Sequence, residues 1–179
     1  MSQAQALQAW LERLGSQPRL AVLLALLVLA AALDVRSLRI PKLLTVGGTV
    51  LGLALSVWAS PPLGMAGSLA GLALGLALML PFYAMGVMGA GDVKLMAMAG
   101  SFLGPGSTLQ AVLFVWLTGG LLALGWALMH GAWGPLWANL RALGRAGPVQ
   151  AASVGKLPYG LSICLGTSAS VLAHPLGYL

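Results

Sequence analysis

Residues 20–42 read LAVLLALLVLAAALDVRSLRIPK. No polar side chain interrupts the run from Leu20 to Leu33. Asp34, Arg36, Arg39 and Lys42 then follow in quick succession, with Ile40-Pro41 among them. A helix needs about 20 residues to cross the hydrocarbon layer of a membrane, so this run reads as a membrane span meeting its polar face. The rest of the chain repeats the pattern. Of 179 residues, 59% are hydrophobic and 7% charged, against about 25% charged in an ordinary soluble domain. Such a chain cannot clothe a water-soluble surface, and it is too apolar to be disordered. Its length allows about six spans with short connections and leaves no room for a separate soluble catalytic domain. The expected fold is an all-α polytopic membrane protein, a bundle of about six transmembrane helices. It is read as one membrane-embedded domain over 1–179, with 1–18 as an interfacial tail.

In that tail Leu7, Trp10, Leu11 and Leu14 fall at helical spacing, which suits a short helix lying on the membrane surface. No cleavable signal peptide is expected, because the first apolar run follows this mixed segment. Span 1 is predicted at about 20–33. Span 2, at about 43–59, has Pro41 in its first turn and Pro61-Pro62 at its close. Span 3, at about 63–85, carries Gly67, Gly71 and Gly75 at every fourth position, a ridge that lets a neighbouring helix approach closely. Span 4 is short, about 91–103, and Gly104-Pro105-Gly106 turns the chain into span 5, about 109–129. The longest connection follows, with Trp133, Leu136, Trp137 and Leu140 suited to the interface. Span 6 is about 157–172. The single Cys164 reads as a small apolar residue within it and cannot form an internal disulfide.

The net charge of +6 is read as a topology signal, and no nucleic-acid partner is expected, because most basic residues flank apolar runs. The connections after spans 1, 3 and 5 hold Arg36, Arg39, Lys42, Lys94, Arg141, Arg145 and Lys156; those after spans 2 and 4 hold none. The tail holds Arg13 and Arg19, with Glu12 nearby. By the positive-inside tendency the odd connections lie in the cytoplasm and both termini outside.

The acids are Glu12, Asp34 and Asp92 alone. Asp34 closes span 1 and Asp92 opens span 4, which places both at the cytoplasmic face. Carboxylates at span ends are costly and usually functional. If the two share a site, one holds a proton and can polarise a carbonyl while the other takes a proton from water, as in aspartic proteases. If they do not, each simply pairs with a nearby arginine or lysine. Residues 88–95 read MGAGDVKL. Gly89 and Gly91 leave the backbone before Asp92 open to a substrate strand, and Gly91 is expected either to have positive φ or to lie pressed against substrate. Lys94 lies off the helical face of Asp92 and reads first as an interfacial anchor, second as a substrate contact. His130 and His174 sit at span ends, and no metal-ligand spacing appears. Serine-hydrolase signposts are absent as well.

Gly89-Ala90-Gly91-Asp92, continued by Val93-Lys94-Leu95, resembles the signature of the type IV prepilin peptidases, membrane aspartic proteases of the Gly-x-Gly-Asp class. Asp34 with Ile40-Pro41 resembles the family's first catalytic aspartate and its downstream Ile-Pro-Asn, although Lys42 stands where the asparagine would be. Leu157-Pro158-Tyr159-Gly160 resembles the family's third short motif. The resemblance implies cleavage of the leader from prepilins or pseudopilins at the cytoplasmic face of the inner membrane, just after a glycine. Asp34 and Asp92 would be catalytic, Gly89, Gly91, Lys94, Pro158, Tyr159 and Gly160 would meet substrate, and no cofactor would be needed. Long members also N-methylate the new terminus through a domain with paired cysteines; this chain resembles the short, protease-only form that accompanies tight-adherence (Flp-type) pili. Two rivals follow from the residues: a non-enzymatic assembly factor or small carrier using the aspartates as ion or proton sites, and a protease like the signal peptide peptidases. The latter carry Pro-Ala-Leu late in the chain, where this one has Pro-Tyr-Gly. Apart from substrate and the lipid bilayer, no partner is implied.

Overall fold

A computed structural model describes residues 17–37, 40–58, 63–129, 134 and 159–173. Within them lie five helical elements: α1 (Pro18–Ser37), α2 (Lys42–Trp58), α3 (Gly64–Ala84), α4 (Ala90–Met129) and α5 (Tyr159–Ala173). The expected surface helix of the tail, Pro61-Pro62, the interfacial stretch at Trp133–Leu140, both histidines, Arg39, Arg141, Arg145, Lys156 and Pro158 lie outside the described residues. α1, α3 and the part of α4 at Ala90–Gly125 are long and apolar enough to cross a membrane, while α2 and α5 are shorter apolar helices. Every element among the described residues is helical, and the long apolar helices suit a membrane protein.

Each helix begins where the local chemistry allows. Pro18 takes the first position of α1, where its missing N–H costs nothing, and the Leu20 N–H reaches the Gln17 carbonyl at 3.0 Å. The helix thus starts earlier than the apolar run and carries Arg19 into the bundle, where it is buried. Pro41 stands just before α2, and its carbonyl accepts from the Leu44 and Thr45 N–H groups at 3.1 and 3.4 Å.

α4 is a hairpin of two arms. Gly104 has φ 76° and ψ 173°, a conformation that only glycine adopts cheaply. A Cβ on Gly71 would strike the Gly100 carbonyl and Gly104, and one on Gly75 would lie 2.7 Å from the Met96 carbonyl oxygen, so the first arm runs antiparallel along α3. The ring of Phe82, further along α3, lies 5.3 Å from that of Trp116. The second arm must therefore fold back towards the end where α4 begins. The reversal occurs at Gly104 alone, and the second arm starts at once with Pro105 rather than near Leu109, because proline is preorganised for a first helical turn.

Packing follows the logic of lipid. The Gly71 and Gly75 ridge meets Gly100 and Met96 with backbone against backbone, and Ser68 Oγ donates to the Ser101 carbonyl at 2.5 Å across the same interface. α2 turns its small and polar stripe, Thr45, Gly48, Gly52 and Ser56, inward. It leaves Leu43, Val46, Val50, Val57 and Trp58 exposed, which is sensible only if the surroundings are apolar. Several buried hydroxyls are satisfied within their own helices: Ser101 Oγ donates to the Met98 carbonyl at 2.7 Å and Ser56 Oγ to the Leu53 carbonyl at 2.8 Å, as burial in hydrocarbon favours.

This packing makes a testable contrast. Gly71→Ala should lower the thermal midpoint of the detergent-solubilised protein by about 5 °C or more, because overpacking against backbone costs roughly 1–3 kcal/mol or more. A Cβ on Gly47 meets nothing within 4 Å, so Gly47→Ala should leave the midpoint within about 2 °C. Equal midpoints would show that α3 and α4 do not cross as described.

Candidate active site

Asp92 lies in the first turn of α4. Its Oδ2 accepts from the Gly89 N–H at 3.0 Å, while the Gly89 carbonyl accepts from the Asp92 and Val93 N–H groups at 3.1 and 3.5 Å. Gly89 is thus the cap, and the acid three residues on reaches back to its N–H, one half of a capping box. The register set by Gly71 with Gly100 and Gly75 with Met96 puts Asp92 level with Met79. That is five residues short of the end of α3, or about 8 Å along the axis. The carboxylate therefore sits below the rim of the bundle rather than on it.

Asp34 lies one turn from the end of α1 and is buried. Its Oδ2 accepts from the Gly160 N–H at 2.8 Å, across 126 residues of chain. Gly160 is in the first turn of α5, where N–H groups have no partner within their own helix and the helix dipole favours negative charge. Such contact demands glycine: a Cβ there would lie 2.8 Å from Asp34 Oδ2 and 2.9 Å from its Cβ. Behind it, Thr118 Oγ1 lies 3.1 Å from the Ser162 carbonyl, and Ser162 Oγ donates to the Tyr159 carbonyl at 2.7 Å. The second arm of α4 is thereby linked to the start of α5.

The two carboxylates are close enough for Asp92 to lie in the field of Asp34, and the Tyr159 phenol lies in the field of Asp92. Among the described residues neither carboxylate is paired with a lysine or arginine. Each has one oxygen tied to a helix-start N–H, and the other makes no hydrogen bond to a described residue. Two fixed carboxylates within each other's field, with one oxygen each to spare, are the groups needed to move a proton at a reacting carbonyl.

The remaining sequence candidates divide. Tyr159 and Gly160 stand with the aspartates. Gly89 serves as the cap of α4. Gly91 is helical, and positive φ is confined to Gly64, Gly86 and Gly104 among the described residues, so that half of the expectation for Gly91 does not hold. It lies at the start of a regular helix, and a Cβ there would meet Ile40 at an ordinary 3.4 Å. Lys94 is exposed and makes no contact with either carboxylate. Sequence reasoning missed the Gly160 N–H as a partner for Asp34, and it missed Thr118 and Ser162, which look like common small residues of a span.

The site and bundle define a membrane-embedded helical protein with paired carboxylates at one end. The sequence model of the type IV leader peptidase family matches residues 21–124, more than half of the chain, and the chain belongs to that family. It is accordingly a protease family member, and the family implies a prepilin-type substrate. Both aspartates, Gly89 and Gly91 fall within the match, while Tyr159 and Gly160 lie beyond it. Comparison with curated proteins and with solved structures gave no match.

Proposed function

We propose that this protein is an aspartic endopeptidase that removes the leader from prepilins or pseudopilins at the cytoplasmic face of the bacterial inner membrane. The observation that supports the reading is that Asp34 of α1 and Asp92 of α4 lie within each other's field, each oriented by a helix-start N–H. The pair shares one proton, as catalytic carboxylates do. The ionised member takes a proton from water, which attacks the scissile carbonyl. The protonated member donates a hydrogen bond to the carbonyl oxygen and steadies the tetrahedral intermediate. Collapse then delivers a proton to the leaving amine. Tyr159 and Gly160 line the α5 side, opposite Gly89 and Gly91, where the substrate backbone enters. Lys94 meets substrate only from the exposed face of α4. No cofactor takes part, and the activity is of the protease-only, tight-adherence type, without N-methylation.

The reading extends to the whole chain as a single domain of six crossings, with both termini periplasmic. Reporter fusions after Pro62 and Gly106 should read outside, and one after Arg145 cytoplasmic. A cytoplasmic signal at Pro62 would separate the aspartates from the proposed substrate side. The direct functional test is co-expression with a candidate prepilin. A shift of the pilin to its mature size supports the reading, and an unaltered leader on every pilin tried contradicts it.

A further inference from the structure

We infer that Thr118, on the second arm of α4, is a positioning residue for the hydrolytic centre: it sets the axial position of α5 at which the Gly160 N–H meets Asp34. The inference rests on the proteolytic reading and adds to it a residue that makes no hydrogen bond to either carboxylate.

Two kinds of contact join this arm to α5. The first is steric. A Cβ on Gly166 would lie 2.5 Å from the Val115 Cα and 2.6 Å from its N, so backbone meets backbone. Such a contact fixes how near two helices lie, but a glycine has no side chain to stop one sliding along the other. The second is directional. Thr118 Oγ1 reaches the Ser162 carbonyl at 3.1 Å, about one turn nearer the start of α5 than Gly166. A hydrogen bond weakens steeply as its distance and angle depart from the optimum, so this one resists movement of α5 along the arm.

The bond stands close to what it positions. Ser162 is two residues beyond Gly160, about 3 Å along the helix axis. Ser162 is buried, and its Oγ donates to the Tyr159 carbonyl at 2.7 Å, which ties the first turn of α5 into one unit. The Gly160 N–H in that turn donates to Asp34 Oδ2 at 2.8 Å. A shift of α5 along the arm therefore moves the donor off the carboxylate. The Thr118 hydroxyl has one proton, shared with the Phe114 and Val115 carbonyls of its own arm at 2.9 and 3.1 Å. Thr49 provides the contrast, because its hydroxyl bonds only within α2, to the Thr45 carbonyl at 2.7 Å.

The test measures kcat and KM per folded molecule, with full-length protein in lipid vesicles and a prepilin substrate. Thr118→Val keeps the branched shape without the hydroxyl and should lower kcat about tenfold, with KM within about twofold of the parent. Thr118→Ala also lacks the hydroxyl and suits a helix better, so it should show the same loss. Thr118→Ser restores the donor and should return kcat to within about twofold of the parent, and Thr49→Val should stay in that range as well. Parental kcat in Thr118→Val or Thr118→Ala overturns the inference and leaves the proteolytic reading standing. An equal loss in Thr118→Ser or Thr49→Val also overturns it, since the hydroxyl that bridges to α5 would then have no special part. A parent that leaves the prepilin whole overturns the proteolytic reading and the inference with it.

Discussion

Asp34→Asn and Asp92→Asn should each reduce leader cleavage by about 1,000-fold or more while leaving insertion and thermal stability close to those of the parent. An amide is the same shape as a carboxyl group and still accepts the N–H of Gly160 or Gly89 through its oxygen, so the first turns of α5 and α4 keep their contacts. What is lost is the shared proton, because an amide can neither take it from water nor return it. Groups that act as a unit lose their function together, so the double variant should be no slower than either single one. The pH–rate profile of the parent should show two apparent ionisations that belong to the pair rather than to one residue. Near-parental cleavage by either single variant would remove the two-carboxylate mechanism.

Gly160→Ala should lower the cleavage rate by about 100-fold. The added carbon would come within 2.8 Å of Asp34 Oδ2 and 2.9 Å of Asp34 Cβ, nearer than such atoms approach. Either the start of α5 moves away and the 2.8 Å bond to Asp34 opens, or the carboxylate turns aside. A displacement of about 1 Å at a reacting group can cost on the order of 100-fold in rate. Alanine favours a helix more than glycine does, so α5 should still form and the loss should appear in kcat rather than in yield of folded protein. Gly47→Ala, with open space around it, serves as the matched control. Equal rates for the two variants would mean that α5 does not orient Asp34.

The sequence marked the membrane bundle because composition alone forbids a polar surface, and it marked Asp34 and Asp92 because acids are so scarce. Of the ridge read at Gly67, Gly71 and Gly75, the last two make the close approach, whereas Gly67 faces only Leu63 and Ser68 stands on the buried face instead. The inward stripe of α2 was not read, because Thr45, Gly48, Gly52 and Ser56 are scattered among residues that look equally at home in lipid. The union of Asp34 with the start of α5 was hidden too, since a backbone N–H has no signature in a side-chain string and its donor lies 126 residues away. Arg19 was counted with the tail, whereas the helix begins at Pro18 and buries it. For Gly91, a glycine next to an acid suggested unusual backbone, yet the capping of α4 by Gly89 and Asp92 needs only ordinary helical geometry there.

The central claim, that Asp34 and Asp92 act as one hydrolytic centre, is tested most directly with purified protein in lipid vesicles and a prepilin substrate, read by intact mass. The parent should give two fragments whose masses sum to the substrate plus one water, while Asp34→Asn and Asp92→Asn, recovered folded and in equal amount, should leave the substrate whole. Fragments formed at the same rate by either variant, or a substrate left intact by the parent, would contradict the claim.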